Sequence, residues 1–287
     1  MSDALNVTVI GAGTMGNGIA QTFASCGHAV TLVDVGSAGL ERGMKTIRGS
    51  LDRFVKKGTL QQAESDAIYA RVKPSGDLAA AVKSADLVVE AVFEKEEVKK
   101  EVFRQLDAHA PAGCILASNT SSISITAIAT ATKRPASVIG MHFMNPVPIM
   151  KLVEIIRGEK TSDEVVARTK AIAESVGKTV GVAQDYAGFI SNRVLMPMIN
   201  EAAFCLHEGV ATREDIDVIM KLGMNHPMGP LALADFIGLD VCLNILDYMQ
   251  QEFGDPKFRA APNLRRMVAA GKLGRKSGEG FYAYEAK

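Results

Sequence analysis

The chain has 287 residues, enough for two domains, and its 47% apolar and 22% charged content is ordinary globular composition, which excludes a disordered protein. Its 32 basic and 32 acidic side chains balance, so no overall field draws it to nucleic acid or to an acidic membrane surface, and any anion must be held by a local feature. Four scattered cysteines without a CxxC pair, and no apolar run of the roughly 18 residues that span a bilayer, point to a cytoplasmic protein with reduced thiols and neither a structural metal nor a membrane anchor.

The first apolar run, Val7 to Ile10, reads as a strand. It is followed at once by Gly11-Ala12-Gly13-Thr14-Met15-Gly16 and then by a helix to about Ser25 with Ile19, Ala20 and Phe23 facing inward. The pattern is that of a Rossmann dinucleotide loop. Its glycines permit the tight turn, bring backbone close to a pyrophosphate and let helix pack on strand, while the helix start offers unpaired N–H groups. The next run, Val30 to Val33, ends at Asp34, 18 residues after Gly16, where a carboxylate takes the ribose hydroxyls and repels a 2′-phosphate. The cofactor expected is NAD.

Leu40, Met44, Ile47, Leu51 and Phe54 then recur at helical spacing, Lys56-Lys57-Gly58 breaks the helix, and Leu60 to Val72 reads as a second helix closed off before Pro74. The two form a helical hairpin over about 37–72. Its first helix carries Arg42, Lys45, Arg48, Arg53, Lys56 and Lys57 against Glu41 and Asp52, a local cation surplus suited to phosphate. Leu87 to Val92, Ile115 to Ala117 and a strand from Ser137 to Met141 continue the pattern of a parallel sheet covered on both faces. Lys151 to Ile156 is strand-like, Thr161 to Val176 is helical, and Thr179 to Ala183 reads as a last strand. Beyond a boundary at Gln184 to Gly188, Phe189 to His207, Thr212 to Leu222 and Gly238 to Phe253 read as helices, with a strand-like run again at Phe281 to Tyr284. The expectation is an α/β, Rossmann-type doubly wound domain over 1–184 with the inserted hairpin, followed by an all-α domain over 188–287.

Oxidation of an alcohol by a nicotinamide needs a base for the hydroxyl proton, and histidine titrates nearest neutrality. Of five histidines, His142 lies at the carboxyl end of a strand, where open α/β sheets put their ligands. Twelve residues on stands Glu154, a carboxylate able to orient the ring and stabilise its cation, although spacing alone does not pair the two.

Local sequences add to this reading. Ser118-Asn119-Thr120-Ser121-Ser122, His142-Phe143-Met144-Asn145-Pro146-Val147-Pro148 with Leu152-Val153-Glu154, Gly188-Phe189-Ile190-Ser191-Asn192-Arg193, Met228-Gly229-Pro230 and Gly274 to Tyr282 closely resemble, in order, the motifs of the L-3-hydroxyacyl-CoA dehydrogenases, the bacterial 3-hydroxybutyryl-CoA type above all. The resemblance implies His142 as general base, Glu154 as its partner, and Ser121 and Asn192 as hydrogen-bond donors near the reacting oxygen. Ser121 would touch substrate and cofactor both. It implies Asp34, Glu90, Lys95, Asn145 and Lys276 around NAD, and Ser50 and Lys57 at coenzyme A. Lys95 stands where the family commonly has Asn. The substrate implied is an acyl-CoA, the site a cleft between the two domains, and the assembly a homodimer through the C-terminal domain. A dehydrogenase of free hydroxy or sugar acids on the same scaffold, and a non-catalytic NAD-binding protein, are the alternatives. The second has no need of His142, Glu154, Ser121 and Asn192 together.

Overall fold

The computed structural model describes residues 4–285, and the chain divides into two compact units, Met1–Tyr186 and Ala187–Lys287.

In the first unit β1 (Asn6–Ile10), β2 (Ala29–Val33), β3 (Val72–Ser75), β4 (Leu87–Glu90), β5 (Ile115–Ser118), β6 (Val138–Phe143), β7 (Leu152–Arg157) and β8 (Thr179–Gln184) form one sheet in the order β3-β2-β1-β4-β5-β6-β7-β8. Pairing is parallel from β3 to β6, antiparallel between β6 and β7, and parallel again between β7 and β8. The chain order reverses between β1 and β4, the switch point at which a doubly wound sheet opens its ligand crevice. Helices α1 (Thr14–Ser25), α2 (Ser37–Lys56), α3 (Gln62–Arg71), α4 (Leu78–Ala81), α5 (Glu96–His109), α6 (Ile125–Ala129) and α7 (Asp163–Ser175) connect the strands. Burial on both sheet faces explains the unbroken apolar runs: Val9, Leu32, Leu87, Val89, Ile115, Ala117, Ile139 and Ile155 are wholly buried in one core, and Val88, Leu116, Val138 and Ile156 at alternate positions are wholly buried as well. Ile19, Ala20 and Phe23 of α1 join it.

The hairpin forms as read, with Gly58 at φ +72° turning the chain between α2 and α3. Its second helix ends sooner than expected. Val72 leaves the helix and opens β3, a short edge strand pairing Pro74 with Leu32 in register. An edge strand tolerates a residue with no N–H to donate, which is why Pro74 marks a strand here and not merely a helix stop.

The second unit is helical: α8 (Ser191–His207), α9 (Arg213–Val218), α10 (Pro230–Ile237), α11 (Leu239–Phe253) and α12 (Pro262–Ala269) close over Met196, Ile199, Leu231, Leu239, Leu246, Phe258 and Leu264. The expected helix Thr212 to Leu222 is two pieces, α9 and a π-helical turn from Ile219 to Gly223. Helices α10 and α12 each begin at a proline, the residue that also reads as a breaker, and each is eight residues long. The strand expected at Phe281 to Tyr284 is absent among the described residues; Glu279 makes isolated bridges to Gly274 and Ala283. Side-chain bonds replace the ladder. The buried Asp235 carboxylate accepts from the Phe281 and Tyr282 N–H groups and from the Tyr284 hydroxyl. A Cβ on Gly280 would lie 1.9 Å from Asp235 Oδ1 and one on Gly274 2.3 Å from the Asp235 carbonyl oxygen, so the glycines of the closing motif let the chain wrap this acid. Among the described residues no helix is long and apolar enough to cross a membrane.

Candidate active site

The glycine loop divides its labour by position. Gly11 has φ +99°, and a Cβ there would fall 2.5 Å from the Ala91 carbonyl oxygen. A Cβ on Gly16 would fall 1.7 Å from the Gly11 carbonyl oxygen, so α1 reaches β1 only because that residue is glycine. A Cβ on Gly13 would meet nothing within 4 Å. Its exposed backbone borders open space at the start of the 12-residue helix α1, as a pyrophosphate requires. Ala12, Thr14 and Met15 complete the turn, and Ala12 N–H donates to Asp34 Oδ2 at 2.8 Å. That bond ties the β2 carboxylate to the loop. The donors, the space and the single acid at the ribose position fit NAD.

At the next strand ends, Ile10, Glu90 and Ser118 are register partners across β1, β4 and β5. Glu90 is wholly buried. Its Oε1 accepts from Lys99 Nζ at 2.8 Å and from Val92 N–H at 2.7 Å, and its Oε2 from Ser118 Oγ at 2.6 Å. With both oxygens engaged inside the protein, Glu90 is placed as a support of this edge. Lys95 is exposed at the N-cap of α5. Four residues beyond each of them, Glu94 in the loop before α5 and Lys99 in its first turn are two residues that sequence reasoning passed over. Lys99 is 1% exposed and pairs with Glu94 at 3.2 Å as well as with Glu90. Glu94 Oε1 accepts from the N–H groups of Ser121 at 2.8 Å and Ser122 at 3.2 Å and from the Thr120 hydroxyl. Burial pushes the Glu94 carboxyl up, but the Lys99 charge and these donors outweigh it and hold it below the usual carboxylate range. A signal was present: Lys99 shares the buried stripe of α5 with Phe103 and Leu106, where a lysine is costly unless paired.

His142 is the fifth residue of β6, inside the strand and not just beyond it, and β7 lies antiparallel beside it. The register pairs His142 with Glu154, and Nδ1 lies 3.1 Å from Glu154 Oε2. Both are buried, at 7% and 4% exposure. With the carboxylate as acceptor, the ring hydrogen lies on Nδ1 and the basic lone pair on Nε2. The turn bearing Ser121 is joined to this strand by Asn119, whose Oδ1 accepts from Phe143 N–H at 2.8 Å. Asn145 is exposed in the loop that follows β6.

Two further candidates belong to the first unit. Ser50 is half-buried on α2 and Lys57 is exposed at its C-terminal cap, on the basic helix whose buried Gly43 packs against Ala12 of the glycine loop. Asn192 and Lys276 belong to the second unit. Asn192 is buried in the first turn of α8, and Lys276 Nζ pairs with Asp240 at 2.5 Å.

Residues 6–186 match the family model described as the NAD binding domain of 3-hydroxyacyl-CoA dehydrogenase, and residues 188–284 match its C-terminal domain. The chain is 53% identical over 281 residues to the "Probable 3-hydroxybutyryl-CoA dehydrogenase" of Bacillus subtilis, covering 98% of each. It is 50% identical to the 3-hydroxybutyryl-CoA dehydrogenase of Bradyrhizobium diazoefficiens over 97% of this chain and 94% of that one. The crystal structure of (S)-3-hydroxybutyryl-CoA dehydrogenase from Ralstonia eutropha superposes with a TM-score of 0.95 at 48% identity, covering 99% of this chain and all of that one. With both halves matched and its whole length shared with these relatives, the chain belongs to the NAD-dependent 3-hydroxyacyl-CoA dehydrogenase family.

Proposed function

We propose that this protein interconverts (S)-3-hydroxybutyryl-CoA and acetoacetyl-CoA, with His142 and Glu154 as its acid/base pair. The observation that carries the chemistry is the buried 3.1 Å contact of His142 Nδ1 with Glu154, which puts the basic lone pair on Nε2. His142 removes the proton of the C3 hydroxyl, and Glu154 stabilises the imidazolium that results. The Gly11 to Gly16 loop and Asp34 would hold NAD, which would supply the acceptor for the hydride of C3. In the reverse direction imidazolium donates its proton to the ketone oxygen. Ser121 and Asn192 hydrogen-bond near the reacting oxygen. Asn145 and Lys276 serve the nicotinamide end, and Ser50 and Lys57 the coenzyme A nucleotide.

The domains of this reading are 1–184 for NAD, with the hairpin at 37–72, and 188–287 for substrate and for pairing two subunits as a homodimer in the cytoplasm. The exposed Val210, Leu222, Met224 and Phe236 support an apolar subunit contact. Turnover of acetoacetyl-CoA with NADH, set beside NADPH, longer acyl chains and free acetoacetate, tests the reaction. Faster turnover of the free acid would replace this reading with that of a hydroxy-acid dehydrogenase.

A further inference from the structure

Residues 144–151 join β6 to β7, starting two places after His142, and they include the exposed Asn145. A connection fixed only at its ends would be free to rearrange there. This one is fixed in its middle. The Pro146 carbonyl accepts from the N–H groups of Ile149 and Met150, both at 3.0 Å, which folds the segment into a turn. Val147 reaches from that turn into the core of the first unit at 2% exposure. Lys178, between α7 and β8 and 8% exposed, donates from Nζ to the Val147 carbonyl at 2.6 Å and to the Met150 carbonyl at 2.8 Å. Two charge-assisted bonds from one ammonium thus hold the turn. Gly18 of α1 lies against the same turn. A Cβ there would fall 3.0 Å from Val147 Cβ and 3.4 Å from Pro148 Cδ, so the turn is seated on the helix that opens the nucleotide loop.

We propose that Lys178 is a positioning residue for hydride transfer: by holding the turn over 146–150 against Gly18, it sets where Asn145 meets the nicotinamide end of NAD. The proposal rests on Asn145 serving that end of the cofactor. Lys178 acts through Asn145, so the losses of the two do not multiply.

The test uses the full-length enzyme and four variants: Asn145→Ala, Lys178→Met, Gly18→Ala and the double Lys178→Met/Asn145→Ala. Methionine fills the lysine's space without its donors. Readouts are affinity for NADH and for ADP-ribose, which lacks the nicotinamide, both without thioester, and then kcat for acetoacetyl-CoA and Tm. Lys178→Met is expected to weaken NADH by about 10-fold, the scale of one lost hydrogen bond. Its kcat falls by about 10- to 100-fold, as for a misplaced reactant. ADP-ribose affinity stays at the wild-type value, because the adenosine and pyrophosphate contacts are untouched. The double variant is no worse than the more impaired single one. Gly18→Ala shifts the turn by a few tenths of an ångström without removing a hydrogen bond, and a smaller loss of the same pattern is expected. It carries the test should Lys178→Met fail to fold.

Wild-type NADH affinity and kcat in Lys178→Met beside an impaired Asn145→Ala overturn the proposal. So does an equal loss of NADH and ADP-ribose affinity, which makes Lys178 a support of the fold, and so does a double variant whose loss is the product of the single losses. If Asn145→Ala binds NADH and turns over like wild type, the reading of Asn145 fails first, and the proposal with it. The binding assays contain no thioester, so their outcome is independent of whether acetoacetyl-CoA is the substrate.

Discussion

Glu154 stands directly opposite His142 in the antiparallel pair β6–β7, with Oε2 3.1 Å from the ring Nδ1. Cross-strand partners of this kind share a face and a depth, so the ring is oriented by the sheet itself and not by a mobile loop. His142→Ala or His142→Gln is therefore expected to fold and bind NADH while losing about 10²-fold or more in kcat, the usual worth of a placed acid/base. Glu154→Gln loses less, because the amide can still accept from Nδ1 but carries no charge to stabilise imidazolium. Steady-state kinetics beside NADH titration check both, and near wild-type turnover in the His142 variants would remove that residue from the mechanism.

Gly13 and Gly16 answer differently to the same methyl group. A Cβ on Gly16 collides at 1.7 Å with the Gly11 carbonyl oxygen, whereas one on Gly13 meets nothing within 4 Å. Gly16→Ala is expected to lower Tm along with NADH binding. Gly13→Ala should leave Tm within a few degrees, about 1 kcal/mol or less, and weaken NADH alone. Thermal melts with and without NADH separate the two, and equal Tm losses would contradict the distinction.

Asp34 bears on cofactor choice through charge. Its carboxylate accepts from Ala12 N–H at 2.8 Å, which holds its charge beside the glycine loop. Asp34→Ser, and more so Asp34→Arg, should raise the kcat/KM ratio of NADPH to NADH. A wild type that already prefers NADPH would show the assignment of Asp34 to be mistaken.

Lys57 is exposed at the end of the basic helix α2. If it meets the nucleotide phosphates of coenzyme A, Lys57→Glu raises KM for acetoacetyl-CoA, more at low salt, where exposed charges are least screened. KM for NADH stays unchanged, and a thioester lacking the adenosine phosphates is indifferent to the substitution. Equal damage to both thioesters would assign the lysine to the fold.

His28 ties the start of β1, with Nδ1 accepting from Leu5 N–H at 3.1 Å. Burial lowers its pKa from the ordinary 6.5. Just below pH 6.5 the unfolded chain thus binds a proton that the folded chain resists, so stability is present above that pH and is lost as pH falls through it. Tm measured from pH 7.5 down to 5 should drop less steeply in His28→Gln than in wild type. Parallel curves would deny His28 this role.

Much of this protein was legible along the chain because its signals are local. The glycine turn, the carboxylate after β2 and the helical spacing of α1 and α2 each lie within one strand–helix unit, where backbone sterics and a single apolar face decide the outcome. The same locality misled at Pro74, where a residue that stops a helix also suits an edge strand.

Tertiary structure alone decided what depends on register and burial. Nothing in a spacing of twelve says that β7 runs antiparallel to β6, yet only that direction sets Glu154 against His142. The ion pair beside the Ser121 turn is formed by Glu94 and Lys99, four residues beyond Glu90 and Lys95, and α5 buries Lys99 on one stripe with Phe103 and Leu106. A buried ammonium must find carboxylates wherever the packed sheet presents them, and that choice is made across strands brought together from distant parts of the chain.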